Sequence, residues 1–501
     1  MVEIWALRNA LVLASGIEPA KRQDIVICED RILEIGWDLD FDLLGVSRAE
    51  DASGRLIMPG MINTHYHSHD RWDRGRFNTL PLEIWMGLYN PPAYGRNWTS
   101  EEIYLRTLLG GMELIRGGST AVIDDVHLGS QLGDTSIEAV FRAYQDLGIR
   151  ADVGIAMSDI PAHESIPYLD ELLPQEFKTK GQLAFKTRNE MLGLWESLAT
   201  RHTGRVRAVV SVSGPQRCTR AFQQCAHDLA RKIDRPVLTH VLETRVQAMT
   251  AHKFYGHSMI EHMDEMGVLS RNTVLIHGVW LTHEDLDRVA RSGAAVSHNP
   301  ISNAKLGSGI APVRSMLDRG ISVGLGTDNH NANDGCSMFE ALKFGALLQA
   351  LTSDDYEDWL TAAEALAMAS THGARLMGLE GEIGQLKKGA KADFITLDLN
   401  AHALLPLNDA AIQTVFADSA STLSEVYVDG RRVYSDGQFS MIDQTAILEE
   451  VSARVSVLQR KVRGGVPHAE AMEPYLKQAF KLCMEDALMK PYLGRLNCCR
   501  R

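Results

Sequence analysis

Eight short apolar runs recur through the middle of the chain: LIMPGMINTHYH, STAVIDD, ADVGIAM, VRAVVSV, PVLTHV, TVLIHG, AAVSHN and SVGLGTD. Amphipathic stretches such as EDLDRVARSG separate most of them. Parallel strands are buried on both faces and need long crossovers, so this alternation predicts parallel strands joined by helices. Eight such units predict an α/β fold of the (β/α)8 TIM-barrel class, with an open doubly wound sheet as the alternative.

The two ends of the chain have a different texture. ALVLA and DIVICEDRILEIG near the start, and KADFITLDL and SEVYVDGRRVYSDGQF near the end, are short β runs broken by polar turns. Asp429-Gly430 sits between two such runs, a favoured hairpin turn. This predicts a small discontinuous β-sandwich domain built from both termini. The expected division is 1–58 and 387–440 for that domain, 59–386 for the barrel, and 441–501 for a helical extension available to pack on a neighbour. Two connections, about 70–100 and about 158–186, are too long for simple turns and are expected to shape a pocket.

Residue content narrows the class. A chain of 501 residues with 45% hydrophobic and 23% charged residues supports a sizeable core. A net charge of −13, from 51 basic and 64 acidic residues, weighs against a nucleic-acid or anionic-membrane partner. No basic n-region leads a long apolar run at the start, and no apolar window is long enough to span a bilayer. Seven dispersed cysteines without a C-x-x-C pair suit a reduced, cytoplasmic protein.

Chemistry concentrates where the apolar runs end. INTHYHSHD puts His65, His67 and His69 at alternate positions, so either His65 and His67 or His67 and His69 share a strand face. Later runs end in His240, His277, His298 and Asp328, and Glu243 follows His240 by three residues. In a parallel barrel these ends converge on one face, where active sites lie. Imidazoles and a carboxylate gathered there suit a divalent metal and general acid–base work.

These motifs resemble the metal-dependent amidohydrolase superfamily. PGMINTHYH, THVLET, LIHG, SHNPISNAKLGSGIAPV and GLGTDN carry the likeness, with GEIGQLKKGAKADFITLDL where the chain leaves the barrel. The nearest branch is that of methylthioadenosine/S-adenosylhomocysteine deaminases, guanine deaminases and triazine hydrolases. The resemblance implies His65, His67, His240 and Asp328 as metal ligands, which leaves His69 outside, and Glu243, His277 and Asp328 as catalytic groups. The fourth strand, VRAVVSVSGPQ, lacks the lysine that bridges two metals in binuclear members. One divalent transition metal per subunit is therefore implied, Zn²⁺ ahead of Fe²⁺. Relatives form homo-oligomers, and the same is expected here.

The implied function is hydrolysis of a non-peptide C–N bond of a small molecule by a metal-activated hydroxide. Deamination of an aromatic nitrogen heterocycle is the first reading. The alternative is hydrolysis of an exocyclic amide, urea or substituted-amine bond of a xenobiotic or plant metabolite. Trp85, His298, Asn303, Asn329 and His330 are the expected substrate contacts. The chain reads GTDNHNANDG where nucleoside deaminases tend to read GTDG-A-SNN, and this departure weighs against an adenosine-type substrate. His127 also closes an apolar run, where a structural role is expected.

Overall fold

The computed structural model describes residues 3–15, 18–89, 95–181, 187–488 and 491–493. All eight expected runs form parallel strands of one ring: Met61–His67, Ser119–Val126, Arg150–Met157, Val206–Val212, Val237–Val241, Thr273–His277, Ala295–His298 and a last strand broken in two. Val323–Leu325 pairs with Ala295–His298, and Asp328–Asn329 pairs with Met61–His67, closing the barrel. Nearly every residue on these strands is buried, which explains why they read as unbroken apolar runs rather than alternating ones.

The first run divides. Arg55–Pro59 belongs to the terminal sheet, and the barrel begins at Met61. The break falls at Gly60, where a Cβ would lie 2.1 Å from the Thr120 side chain.

Helix starts are written locally. Thr99, Thr282 and Thr361 each cap a helix and exchange bonds with the acid three residues on, Glu102, Asp285 and Glu364. These reciprocal bonds satisfy amide groups that have no partner within the helix.

Strands from both ends of the chain form one mixed nine-stranded sheet. Arg55–Pro59 joins the two halves by pairing antiparallel with Phe394–Asp398. Trp5, Tyr427 and Phe394 stack in its core, with ring centroids 5.6 and 4.4 Å apart. Asp429 and Gly430 have φ of 49° and 70°, the left-handed turn expected between Leu423–Val428 and Arg431–Ser435.

The terminal helices Gln444–Arg463 and Val466–Glu485 pack on this chain itself. Met472, Leu476 and Ala479 join Ile84, Leu169 and Leu173 in one buried cluster. The extension thus backs both long pocket connections. Arg245 donates to the carbonyls of Cys483 and Asp486, tying it also to the helix that follows Glu243. No helix among the described residues is long and apolar enough to cross a membrane.

Candidate active site

The strand ends do converge. Nitrogens of His65, His67 and His240 lie within 4.8 Å of one another, as do ligand atoms of His65, His277 and Asp328. Asp328 Oδ1 stands 3.2 Å from His65 Nε2 and 3.3 Å from His67 Nε2. His69 is outside. The chain leaves the strand at Ser68, ending the alternation, and His69 Nδ1 accepts from the His127 amide at 3.1 Å.

The imidazoles are oriented by carbonyls. His67 Nδ1–H donates to Asp125 O at 2.5 Å and His240 Nδ1–H to Ser213 O at 2.9 Å. Each bond fixes the tautomer and turns the bare Nε2 away from the carbonyl, the usual arrangement behind metal-ligating histidines. Both nitrogens of His65 and Asp328 Oδ1 are buried without a hydrogen-bond partner. These orphaned atoms, with the Nε2 nitrogens of His67 and His240, make three imidazoles and one carboxylate, which fit a tetrahedral or five-coordinate divalent cation.

Electrostatics agree with that fit. Burial strips charge from His65, and pulls His240 and His277 down to about 4. Burial opposes charge on His67 too, but Asp328 and Asp125 overcome it and raise it to about 10. A cation seated on Nε2 would displace that proton. Burial likewise opposes charge on Asp328, yet the imidazoles of His65 and His67 beside it hold it well below the carboxylate range.

Glu243 lies beside this cluster. Its Oε2 is 3.4 Å from His277 Nε2, and Ser308 Oγ donates to Oε1 at 3.5 Å. Burial, then Asp328 and Glu83, push its carboxyl well above the usual range. His277 Nδ1 lies 2.9 Å from Asn303 Oδ1 and 3.2 Å from Asn299 Nδ2, and these two amides aim its Nε2 at Glu243. Backbone strain marks the same residues. Leu242, His277 and Asp328 hold φ of 51°, 76° and 63°. L-residues rarely adopt such angles unless the surroundings enforce them.

The expected substrate contacts divide. His298 is buried with both ring nitrogens unpartnered, and burial then His277 lower it to about 3. Asn303 acts on His277, leaving its Nδ2 free. Trp85 stacks on Tyr89 at 5.2 Å in a cluster over the barrel, its Nε1 unpartnered. Asn329 stands beside the Asp70 carboxylate. His330 faces Tyr66 and Arg71. It is fully buried, with Nε2 2.6 Å from the Tyr66 hydroxyl and Nδ1 3.4 Å from Arg71. The backbone turn after Asp328 directs it behind the strand. His127 is exposed at the mouth.

Four residues escaped sequence reasoning. Asp125 stands 3.7 Å from His240 and its carbonyl orients His67. Glu83 is buried, accepts from Thr244 Oγ1 at 2.5 Å, and keeps Oε2 unpartnered. Burial raises it to about 6. A lone acid in LEIWMGLY, an otherwise apolar helix over the site, was the available signal. Gln216 and Arg217 follow the fourth strand, in a short turn without any marked pattern.

Comparison with known proteins agrees with the architecture. The 5'-deoxyadenosine deaminase of Methanosarcina mazei is 30% identical over 458 residues, covering 91% of this chain and 98% of that protein. The 5-methylthioadenosine/S-adenosylhomocysteine deaminase of Desulforamulus reducens is 30% identical over 444 residues, 87% and 96% of the two chains. Among solved structures, the zinc complex of atrazine chlorohydrolase from Arthrobacter aurescens TC1 superposes with a TM-score of 0.81. It is 24% identical and covers 90% of this chain and all of that one, 100%. A zinc-bound adenosine deaminase from Xanthomonas campestris gives a TM-score of 0.79 at 22% identity, covering 92% and 98%. The sequence model of the Amidohydrolase family matches residues 56–433, spanning the whole barrel and the strands on either side, and this chain belongs to that family.

Proposed function

We propose that the protein is a metal-dependent aminohydrolase that replaces an amino group of an aromatic nitrogen heterocycle by oxygen, releasing ammonia. The observation that carries this reading is the buried Glu243 carboxyl, 3.4 Å from His277 and beside Asp328. His65, His67, His240 and Asp328 would hold one divalent cation, zinc by its affinity for this donor set and by its presence in similar folds. Such a cation lowers the pKa of bound water from about 15.7 to about 7 and supplies nucleophile at neutral pH.

The chain's own groups handle the protons. Asp328, ionised, accepts a hydrogen bond from Ser302 Oγ at 2.5 Å on Oδ2 and orients attacking water. Glu243 moves a proton between that water and a ring nitrogen, which burial favours by keeping the protonated carboxyl accessible near neutral pH. His277, neutral and aimed by Asn303, faces the developing charge on the attacked carbon's substituent. Departure of ammonia completes the exchange.

Adenine nucleosides are the first candidates, from the names of the similar proteins. The departure at His330 loses its weight against them, since that side chain lies behind the pocket. The test is ammonia release by zinc-loaded protein from a panel of adenine nucleosides, aminopyrimidines and aminotriazines. A panel that yields no ammonia, with amine released instead from exocyclic amides or alkylamino rings, overturns the deaminase reading in favour of the alternative.

A further inference from the structure

The turn after the fourth strand carries a cation that no acid answers. Arg217 is half-buried at the end of Pro215–Arg217. Its Nε donates to Ile160 O at 3.5 Å and its Nη2 to Ser158 Oγ at 3.4 Å, both long. Among the described residues no carboxylate pairs with it, and its electrostatic neighbours are Cys218, His127 and His240. Other arginines of the barrel strands differ. Arg207 binds both oxygens of Asp152 at 2.7 Å, and Arg150 binds Asp393 and Asp429.

This guanidinium stands on the substrate side of the barrel. His240, which it influences, is 21% exposed toward the mouth, and His127, also within its field, is exposed. The neighbouring Gln216 packs against Gly214 beside the His240 carbonyl, and its Oε1 is buried without a partner. The turn thus places a cation without a counter-charge next to a ligand-set histidine. A half-buried cation without a counter-charge is costly unless a ligand supplies one. A planar guanidinium suits a carboxylate or phosphate oxygen pair.

Resting on the deaminase reading above, we propose that Arg217 is a specificity residue and that the preferred substrate carries a carboxylate on the part of the molecule that lies along the Pro215–Arg217 turn.

Matched pairs test it: pterin against pterin-6-carboxylate, and 5'-deoxyadenosine against adenosine 5'-carboxylate. With zinc-loaded wild type, kcat/KM for ammonia release is expected to favour the carboxylate member in at least one pair. That preference ratio falls at least tenfold in Arg217→Gln and partly recovers in Arg217→Lys. Binding of the same pairs to Glu243→Gln by calorimetry gives a second readout without turnover. There the carboxylate member binds at least tenfold tighter, and adding Arg217→Gln removes the advantage. A wild type that prefers the neutral member in both pairs, or a ratio unmoved by Arg217→Gln, overturns the proposal. Ammonia from neither member, with anion-selective binding intact, instead overturns the deaminase reading and leaves the anion site standing. Absence of both turnover and binding overturns both.

Discussion

Glu243 Oε2 faces His277 Nε2 across 3.4 Å at the ends of the fifth and sixth barrel strands, and both groups are buried to within 2% of full enclosure. A carboxyl held there takes and returns protons without competition from solvent. Its neighbour is fixed by Asn303, so neither group needs to reorganise during reaction.

Glu243→Gln keeps the shape and removes the exchangeable proton. Turnover is expected to fall about 10²–10⁴-fold, the usual contribution of a positioned acid–base group. Metal content by mass spectrometry should remain that of the wild type. Full activity in this variant would remove Glu243 from the proton path.

Asp328 combines a ligand's role with a left-handed backbone, φ 63°. Asparagine tolerates that conformation and alanine does not, at about 1–2 kcal/mol for an ordinary L-residue. Asp328→Asn is expected to fold and melt cooperatively but to lose metal and activity. Asp328→Ala should lose both as well and unfold in denaturant about 1 kcal/mol earlier than Asn, compared without metal. Equal stabilities would show that the surroundings do not enforce the strained angle.

Leu476 of the terminal helix is 3% exposed, and a Cβ at Gly87 would come within 2.3 Å of its Cδ1. This contact holds the helix that carries Glu83 and Trp85. Leu476→Ala is expected to cost about 2–5 kcal/mol, the range for large-to-small changes in a core. Because the affected helix covers the pocket, KM should rise more than kcat falls. Steady-state kinetics with denaturant melts check this, and an unchanged KM would detach the extension from the site.

His227 lies in helix Arg220–Ile233, away from the site, 1% exposed with neither ring nitrogen partnered. Burial, then Arg231, lower it to about 3. The unfolded chain therefore binds this proton from an ordinary value near 6.5 downward, while the folded protein refuses it. Its contribution to stability is intact above pH 6.5 and drains away as pH falls from 6.5 toward 3, by about 1.4 kcal/mol per unit. His227→Leu should match or exceed wild-type stability at pH 7.5 and show a shallower loss between pH 6.5 and 5. Parallel curves for the two proteins would mean that His227 is protonated in the fold.

The eight strands, the hairpin at Asp429-Gly430 and the polar residues at the strand ends were legible in the sequence. Apolar runs, turn residues and helix caps act over a few neighbours, and a parallel barrel aligns its strand ends by construction. The register at His65 and His67 was not settled by alternation alone, since His69 fits it equally. The resemblance implied the first pair, and the chain's departure from the strand at Ser68 separates His69 physically.

Tertiary structure decided the rest. His330 follows Asp328 closely in sequence, yet it is turned behind the strand onto Tyr66. Glu83, Asp125 and Arg217 gain meaning only from partners brought close by folding, or denied to them by it. The terminal helices meet the pocket connections across hundreds of residues. Local patterns fix what a segment becomes. Which side chains share a proton, a cation or an empty space depends on packing between segments, and that information is distributed over the whole chain.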